Sequence, residues 1–366
     1  MAKKPKEKEP KKPEGTGAAA FREHLQKLVK RDVEEDLQLK TEFDVYSSGS
    51  IVIDHILGVK GFVRGTFHEI AGEAHSGKST LCLQVARNVQ RAGGSVAYLN
   101  PEQAMDLKYA KALGVDTEDK SKWFYSTENS YETLPVIMNT IITVGNFDLI
   151  IIDSVTAIKE EAVLNSAMDN KSSQLGVAAR FWSDYAPKLS MLAHRNKTLI
   201  LGTNQTRVAN IGVYGSSTFK DTTGGNALKY YKTTSIHLKG SKPKAEEAVD
   251  EFGDKYYHIT EDYTKVMAVV DKNKWAPGNK SAIGRIVPYM GYDNFDALFK
   301  LALNKGILQA AGPWISYGNE SDDQHFKVQG RDAAYNRIKN NPALVKKLVE
   351  DLGLAKPENY FPNIEF

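Results

Sequence analysis

The sequence predicts an α/β protein: a mostly parallel, twisted sheet with helices on both faces, with a short N-terminal helical segment and a small α+β C-terminal domain at its flanks. Three observations predict it. From about Gly49 to Pro288, short apolar runs alternate with longer helical stretches, and helices of that length between strands imply parallel βαβ crossovers. A glycine-rich phosphate-loop pattern stands at the first strand-to-helix junction. From about Asn294 the apolar residues take up helical spacing and form a set large enough for a small core of their own.

Residues 1–16 are rich in Lys, Glu and Pro, with six Lys against three Glu in the first fourteen, and read as a basic disordered arm. A solvated tail and an arm that touches DNA both fit that composition. In 17–43, Phe21, Leu25, Leu28, Val29 and Val33 fall on one helical stripe, which needs either this chain's core or a neighbouring subunit to cover it. The core, 44–290, has strand candidates at Thr66–Ile70, Ser95–Leu99, Phe147–Asp153, Thr198–Thr203, Thr234–Leu238 and Lys265–Asp271. Helical stretches fall at Ser79–Arg91, Met105–Leu113, Tyr131–Val144 and Gly176–Arg195. Two long polar loops, at about 160–175 and 206–226, are of a length that usually signals function. The C-terminal domain, 291–354, carries Leu298, Leu301, Ile307, Trp314, Ile338, Leu344 and Leu348, and 355–366 is a short tail.

Composition narrows the class. At 366 residues, with 41% hydrophobic and 25% charged, the chain is an ordinary globular protein with room for one large core and smaller additions. No apolar run approaches the roughly 18 residues of a membrane span, and the N-terminus lacks the apolar centre of a secretory signal. The single cysteine, Cys82, reads as a small buried hydrophobe, so the expected setting is the reducing cytoplasm. The net charge of +3 neither demands nor excludes nucleic acid.

Gly72, Glu73, Ala74, His75, Ser76, Gly77, Lys78, Ser79 and Thr80 form a complete G-x-x-x-x-G-K-[ST] loop between a strand and a helix. Its glycines let backbone N–H groups curl around phosphate oxygens at a positive helix terminus. Lys78 would neutralise the β- and γ-phosphates, and Ser79 would offer a hydroxyl to Mg²⁺. The apolar strand ending at Asp153 delivers a carboxylate to the same place, to hold Mg²⁺ through water. Glu102, just past another strand end, is a candidate to activate the attacking water, although a loop glutamate alone is a weak signal. His75 is read as a spacer facing solvent.

Taken together these runs resemble the bacterial and phage RecA recombinase family. The likeness covers roughly 44–352: Ser48-Gly-Ser50-Ile-Val-Ile-Asp54 through Tyr109-Ala-Lys-Ala-Leu-Gly-Val115, then Ile152-Asp-Ser154, Gly176-Val-Ala-Ala-Arg180 and Asn204-Gln205-x-Arg207. It continues in Lys272-Asn-Lys274, Ala276-Pro277 and Ala311-Gly-Pro-Trp314-Ile-Ser-Tyr317. Its most specific run is Thr222-Thr-Gly-Gly-Asn-Ala-Leu-Lys-Tyr230. The resemblance implies a RecA-like P-loop ATPase core that binds ATP and Mg²⁺. It implies a helical homo-oligomeric filament on single-stranded DNA that samples double-stranded DNA, exchanges strands and hydrolyses ATP, served by single-strand-binding and loading proteins.

Residue by residue, the resemblance makes Glu102 the catalytic glutamate, Asp106, Tyr109 and Tyr289 adenine contacts, and Gln205 the γ-phosphate sensor that signals to the second loop. Lys272 and Lys274 match the pair that enters the neighbouring subunit's ATP site. Leu175, Gly176 and Arg180 in the first loop, and Arg207, Ile211, Gly212, Gly224, Gly225, Asn226 and Lys229 in the second, match DNA-binding positions. Phe21, Leu25, Leu28 and Tyr230 become interface candidates, and the C-terminal domain becomes DNA-associated. Asn100 stands where the family usually has an acid, Ala74 where its phosphate loop usually has Glu, and Pro187 in place of a basic residue. Two alternatives share the core: a ring helicase, against which the 222–230 run and the C-terminal domain argue, and a RecA-fold accessory paralogue, against which the intact Lys78, Asp153, Glu102 and Gln205 argue.

Overall fold

The computed structural model describes residues 43–159, 174–206, 225–241, 245–249, 255–259 and 262–366. The N-terminal arm and the apolar stripe from Phe21 to Val33 lie outside these residues. Residues 44–366 form one compact unit. Its first elements are β1 (Val45–Tyr46), α1 (Ile51–Leu57), β2 (Phe62–Val63), β3 (Phe67–Gly72), α2 (Lys78–Arg91), β4 (Val96–Leu99), α3 (Leu107–Ala112) and β5 (Trp123–Ser126). There follow α4 (Leu134–Thr143), β6 (Leu149–Ile152), α5 (Gln174–Asn196), β7 (Leu199–Gln205), α6 (Gly225–Tyr231), β8 (Thr234–Gly240), and the hairpin of β9 (Ala245–Val249) and β10 (Lys255–Ile259). Then come β11 (Thr264–Asn273), β12 (Ser281–Val287) and β13 (Gly291–Tyr292).

A nine-stranded sheet runs in the order β13-β12-β11-β8-β3-β7-β6-β4-β5. The strands from β8 to β5 are mutually parallel, and β11, β12 and β13 extend the sheet antiparallel beyond β8. Every strand expected from the sequence is present. The additional ones include the outer strands β5, β12 and β13. β5 is the free edge and leaves Phe124 and Tyr125 exposed, while β12 alternates and contains Gly284.

β4 and β6 are apolar throughout because both faces of the sheet are covered. In β6, Leu149 and Ile151 join a cluster with α2 through Leu81, Val85 and Val89, whereas Ile150 and Ile152 face Leu134 and Met138 of α4 and Trp182 and Leu189 of α5. Burying each such side chain contributes roughly 1.5–3 kcal/mol, so the alternation in four consecutive residues fixes helices on both sides. Pro187 sits inside α5, which continues to Asn196. Cys82 is buried and free, in line with the sequence reading.

One charge is buried inside this apolar sheet. Glu69 of β3 pairs with Lys232, accepts from Ser235 Oγ at 2.8 Å, and accepts from Asn204 Nδ2 at 2.9 Å. The group therefore links β3, β7, β8 and the segment just after α6.

The C-terminal elements are α7 (Asn294–Asn304), a three-stranded antiparallel sheet of β14 (Leu308–Ala311), β15 (Trp314–Tyr317) and β16 (Phe326–Gln329), and helices α8 (Arg331–Lys339) and α9 (Pro342–Asp351). Capping residues start the helices: Asp293 accepts from Asp296 N at 3.1 Å, and Asn341 accepts from Leu344 N at 3.1 Å ahead of Pro342. Their core, built on Leu298, Ile315, Ile338 and Leu348, also takes in Ile51 and Val52 of α1. The last residues pack as well. Tyr360 and Phe361 are buried, Arg87 donates to Asn359 O at 2.8 Å, and Arg91 donates to Pro362 O at 3.0 Å.

Tyr360 also donates to Asp54 at 2.8 Å, alongside Ser47 Oγ at 2.6 Å and Ser48 N at 2.9 Å. Burial pushes the Asp54 carboxyl up from 3.8 to about 6, against the pull of those hydrogen bonds. The folded state thus holds a proton that the unfolded state has released. This contribution to stability is complete below pH 3.8 and is lost as pH rises through about 6. Asp54→Asn is expected to flatten that part of the stability profile in urea titrations. For the buried pair, Lys232→Met is expected to cost about 3–5 kcal/mol, because Glu69 is left charged and unmatched. Glu69→Leu with Lys232→Met should recover most of the loss in the same urea measurement; a double variant no more stable than Lys232→Met would contradict the pairing.

Candidate nucleotide site

The parallel strands β3, β4, β6 and β7 end at one edge of the sheet, at Gly72, Leu99, Ile152 and Gln205, and the side chains that follow converge there. Gly72 opens the phosphate loop where nothing larger fits: a Cβ would lie 2.4 Å from both Leu238 O and Ser76 Oγ. Gly77, at φ 91°, caps α2 in a left-handed conformation. Glu73, Ala74 and His75 are exposed, Ser76 is buried, and Gly77 to Thr80 begin α2. The cleft over this loop, ≈ 300 Å³, is closed on its far side by Thr264 and Ile286 of the antiparallel extension.

Lys78 Nζ folds back over the loop, donating to Glu73 O at 2.7 Å and Gly72 O at 3.2 Å. Burial lowers its pKa, while Asp153 and Glu102 act to raise it. Ser79 Oγ donates to Asp153 Oδ2 at 2.7 Å. Glu102 Oε1 accepts from Ser154 Oγ at 2.5 Å and from Gln205 Nε2 at 3.4 Å. Five side chains from four separate segments thus share one edge: Lys78 and Ser79 at the start of α2, Asp153, Glu102 and Gln205. Among the described residues no group of three or more His, Cys, Asp or Glu could hold a metal ion alone. One hydroxyl and one carboxylate beside a phosphate loop suit Mg²⁺, which keeps waters and takes substrate phosphates as ligands.

On the other side of α2, Tyr109 OH and Thr80 Oγ1 share a 2.9 Å hydrogen bond. Tyr289, at φ 62°, meets Tyr109 edge to face at 5.6 Å and is more than half exposed. Asp106 caps α3, accepting from Lys108 N at 2.8 Å and Tyr109 N at 3.2 Å, and so sets the position of the Tyr109 ring. The two rings form an aromatic corner beside the start of α2.

The RecA N-terminal domain family matches residues 26–291. The chain belongs to the RecA family. Protein RecA of Thermotoga maritima is 33% identical over 320 residues, spanning 86% of this chain and 85% of that protein. Protein RecA of a Nocardioides species is 34% identical over 323 residues, spanning 87% and 85%, and that of Limosilactobacillus reuteri is 34% identical over 310 residues, spanning 84% and 79%. The crystal structure of the RadB recombinase covers 68% of this chain and 98% of its own, at TM-score 0.48 and 20% identity.

Asn100, just past the end of β4, is a group that both donates and accepts. Oriented to satisfy its surroundings, the buried amide donates to Asp153 O at 3.0 Å and accepts from Ala104 N at 3.2 Å, Met105 N at 3.1 Å and Tyr125 OH at 2.9 Å. A carboxylate could not make the first of these bonds. The sequence reading also passed over two buried hydroxyls. Tyr98 OH donates to Asp153 Oδ2 at 2.6 Å, and Thr203 Oγ1 donates to Asp153 Oδ1 at 2.6 Å. Burial first, and the Asp153 charge second, push the Tyr98 phenol well above its ordinary pKa. The available signal was a polar group near the end of an otherwise apolar central strand.

The remaining expected residues are on other elements or outside the described residues. Lys272 is on β11 and Lys274 directly follows it, level with the start of β8 (Lys272 pairs with Ser235), and so toward the opposite end of the strands from the phosphate loop. Lys272 Nζ donates to the C-terminal carbonyls of α6, Lys229 O at 2.6 Å and Tyr230 O at 3.3 Å; Lys274 is exposed. Burial and the neighbouring Lys274 lower the Lys272 pKa. Tyr230 is 73% exposed. Arg180 is exposed on α5, which also holds Leu175 and Gly176, while Gly225, Asn226 and Lys229 are on α6. Arg207, Ile211, Gly212 and Gly224 lie outside the described residues, as do most of the two long loops.

Proposed function

We propose that this chain is an ATP-dependent recombinase that assembles as a helical filament on single-stranded DNA, with ATP held between adjacent subunits, and that it carries out homology search and strand exchange with double-stranded DNA. The observation that carries the reading is a division of labour across the protomer. Lys78, Ser79, Asp153, Glu102 and Gln205 meet at one edge, while Lys272 and Lys274 are held too far round the sheet to serve the same nucleotide. A second subunit completes the cation set.

In this reading the loop backbone and Lys78 bind the phosphates, and Tyr109 and Tyr289 bind the base. Glu102, held by Ser154, orients the attacking water. Bound Mg²⁺ supplies charge neutralisation at the phosphates, with Ser79 and Asp153 as its protein contacts. Gln205 already touches Glu102 from the strand that leads into the second long loop, so its amide can report the γ-phosphate to that loop. Lysines from the next subunit add positive charge where phosphoryl charge develops. Phosphate-gripping loops that read no base edge leave sequence selection to pairing between strands.

Electron microscopy with single-stranded DNA and a non-hydrolysable ATP analogue tests this directly, and lone subunits under those conditions would refute it. Lys78→Ala is expected to abolish nucleotide binding and, with it, ATP-dependent DNA binding; retained strand exchange would defeat the assignment. Lys272→Ala is expected to leave nucleotide binding by the isolated subunit intact while lowering DNA-stimulated hydrolysis roughly a hundredfold, as for other preorganised charge partners. An unchanged turnover rate would remove Lys272 from the site.

A further inference from the structure

Asp153 is held from both sides at once. It directly follows β6, which lies between β4 and β7, and residues of both neighbours bond to the backbone here. Asp153 N donates to Leu99 O at 2.9 Å, Asn100 Nδ2 donates to Asp153 O at 3.0 Å, and Val155 N, two residues on, donates to Thr203 O at 3.0 Å. The same two strands grip its side chain: Tyr98 of β4 on Oδ2, Thr203 of β7 on Oδ1, each at 2.6 Å. Both residues are buried, at 2% and 0% exposure, so neither hydroxyl has bulk water as an alternative partner. Ser79 then donates to Oδ2 from the exposed side.

A carboxylate has about four lone-pair sites, and three are occupied here by hydroxyl donors. Hydrogen bonds to an ionised acceptor are about twice as strong as neutral ones, and two of these come from side chains that packing keeps in place. The Tyr98 ring packs against Trp123 at 5.7 Å and Tyr125 at 6.4 Å, and Thr203 lies in the middle of the sheet. A free aspartate at a strand end would sample several rotamers and lose entropy on meeting a cation. This one is already fixed at the point where Ser79 reaches it.

We infer that Tyr98 and Thr203 are positioning residues for the divalent cation: from within the sheet they lock the Asp153 carboxylate in the geometry that, with Ser79, receives Mg²⁺ beside the phosphate loop. The inference rests on the ATP-binding function proposed above and deepens it. Neither residue touches nucleotide or metal. Both act through the orientation of Asp153, as partners behind a metal's own ligands generally do.

The test removes one hydroxyl at a time without changing shape. Tyr98→Phe and Thr203→Val are made in the full chain, and Thr203→Ser serves as the conservative rescue. A fluorescent non-hydrolysable ATP analogue is titrated at increasing Mg²⁺, and again in EDTA. For Tyr98→Phe and Thr203→Val, the Mg²⁺ needed for half-maximal binding is expected to rise about tenfold, the usual size of a loss behind the ligands, with nucleotide affinity in EDTA unchanged. Thr203→Ser is expected to stay within about twofold of the parent. If either isosteric variant keeps the parent's Mg²⁺ dependence, or if Thr203→Ser behaves like Thr203→Val, the hydroxyls serve only to fill buried hydrogen bonds and the inference fails. A parent that shows no Mg²⁺-dependent nucleotide binding would instead bring down the proposed function, and the inference with it.

Discussion

A buried carboxylate in the middle of a parallel sheet constrains everything around it. Glu69 has a strand on either side and no access to water, so its charge must be met within the protein by groups of matching geometry. Lys232, Ser235 and Asn204 meet it, and each comes from a segment that the active edge needs in register. Asn204 is adjacent to Gln205. Ser235 sets β8 against β3. Lys232 fixes the return of the chain after α6, where Lys272 also attaches. A slip of one residue in β7 or β8 would replace a matched charge with an unmatched one.

The same economy governs the strand ends. β4 and β6 carry apolar residues toward helices on both faces, and a set of hydrogen-bonded polar groups gathers where the strands end at the site. Tyr98 and Thr203 point at Asp153 from the two flanking strands, Asn100 stiffens the turn after β4, and Ser154 holds Glu102. Each of these groups is hydrogen-bonded within the edge. The site is therefore assembled before any ligand arrives, and ligand binding need not spend energy on ordering it.

The antiparallel extension separates two functions on one sheet. β11 to β13 bring Thr264 and Ile286 over the phosphate loop and place Tyr289 beside Tyr109, closing the nucleotide cleft. The far end of β11 carries Lys272, and Lys274 just after it, away from the cleft. Because β11 runs opposite to β8, one strand reaches both ends of the sheet, which is how one element serves the chain's own cleft and presents cations elsewhere.

Much was legible in the sequence by itself, for physical reasons. The phosphate loop is written in contiguous residues, since backbone N–H groups in tandem must wrap one phosphate. The central strands and covering helices show in periodicity, since burial on two faces demands unbroken apolar runs. Family membership follows from motifs in a fixed order. Edge strand β5, short and half exposed, and the alternating β12, interrupted by Gly284, gave weaker signals. Only the tertiary structure decided what depends on contacts between residues far apart in the chain: the pairing of Glu69 with Lys232, the two hydroxyls on Asp153, the packing of Tyr360 onto Asp54, and the distance of Lys272 from its own phosphate loop. A serine, threonine or tyrosine in a strand has the same local signature whether it meets water or a buried carboxylate, and the strand order alone settles which.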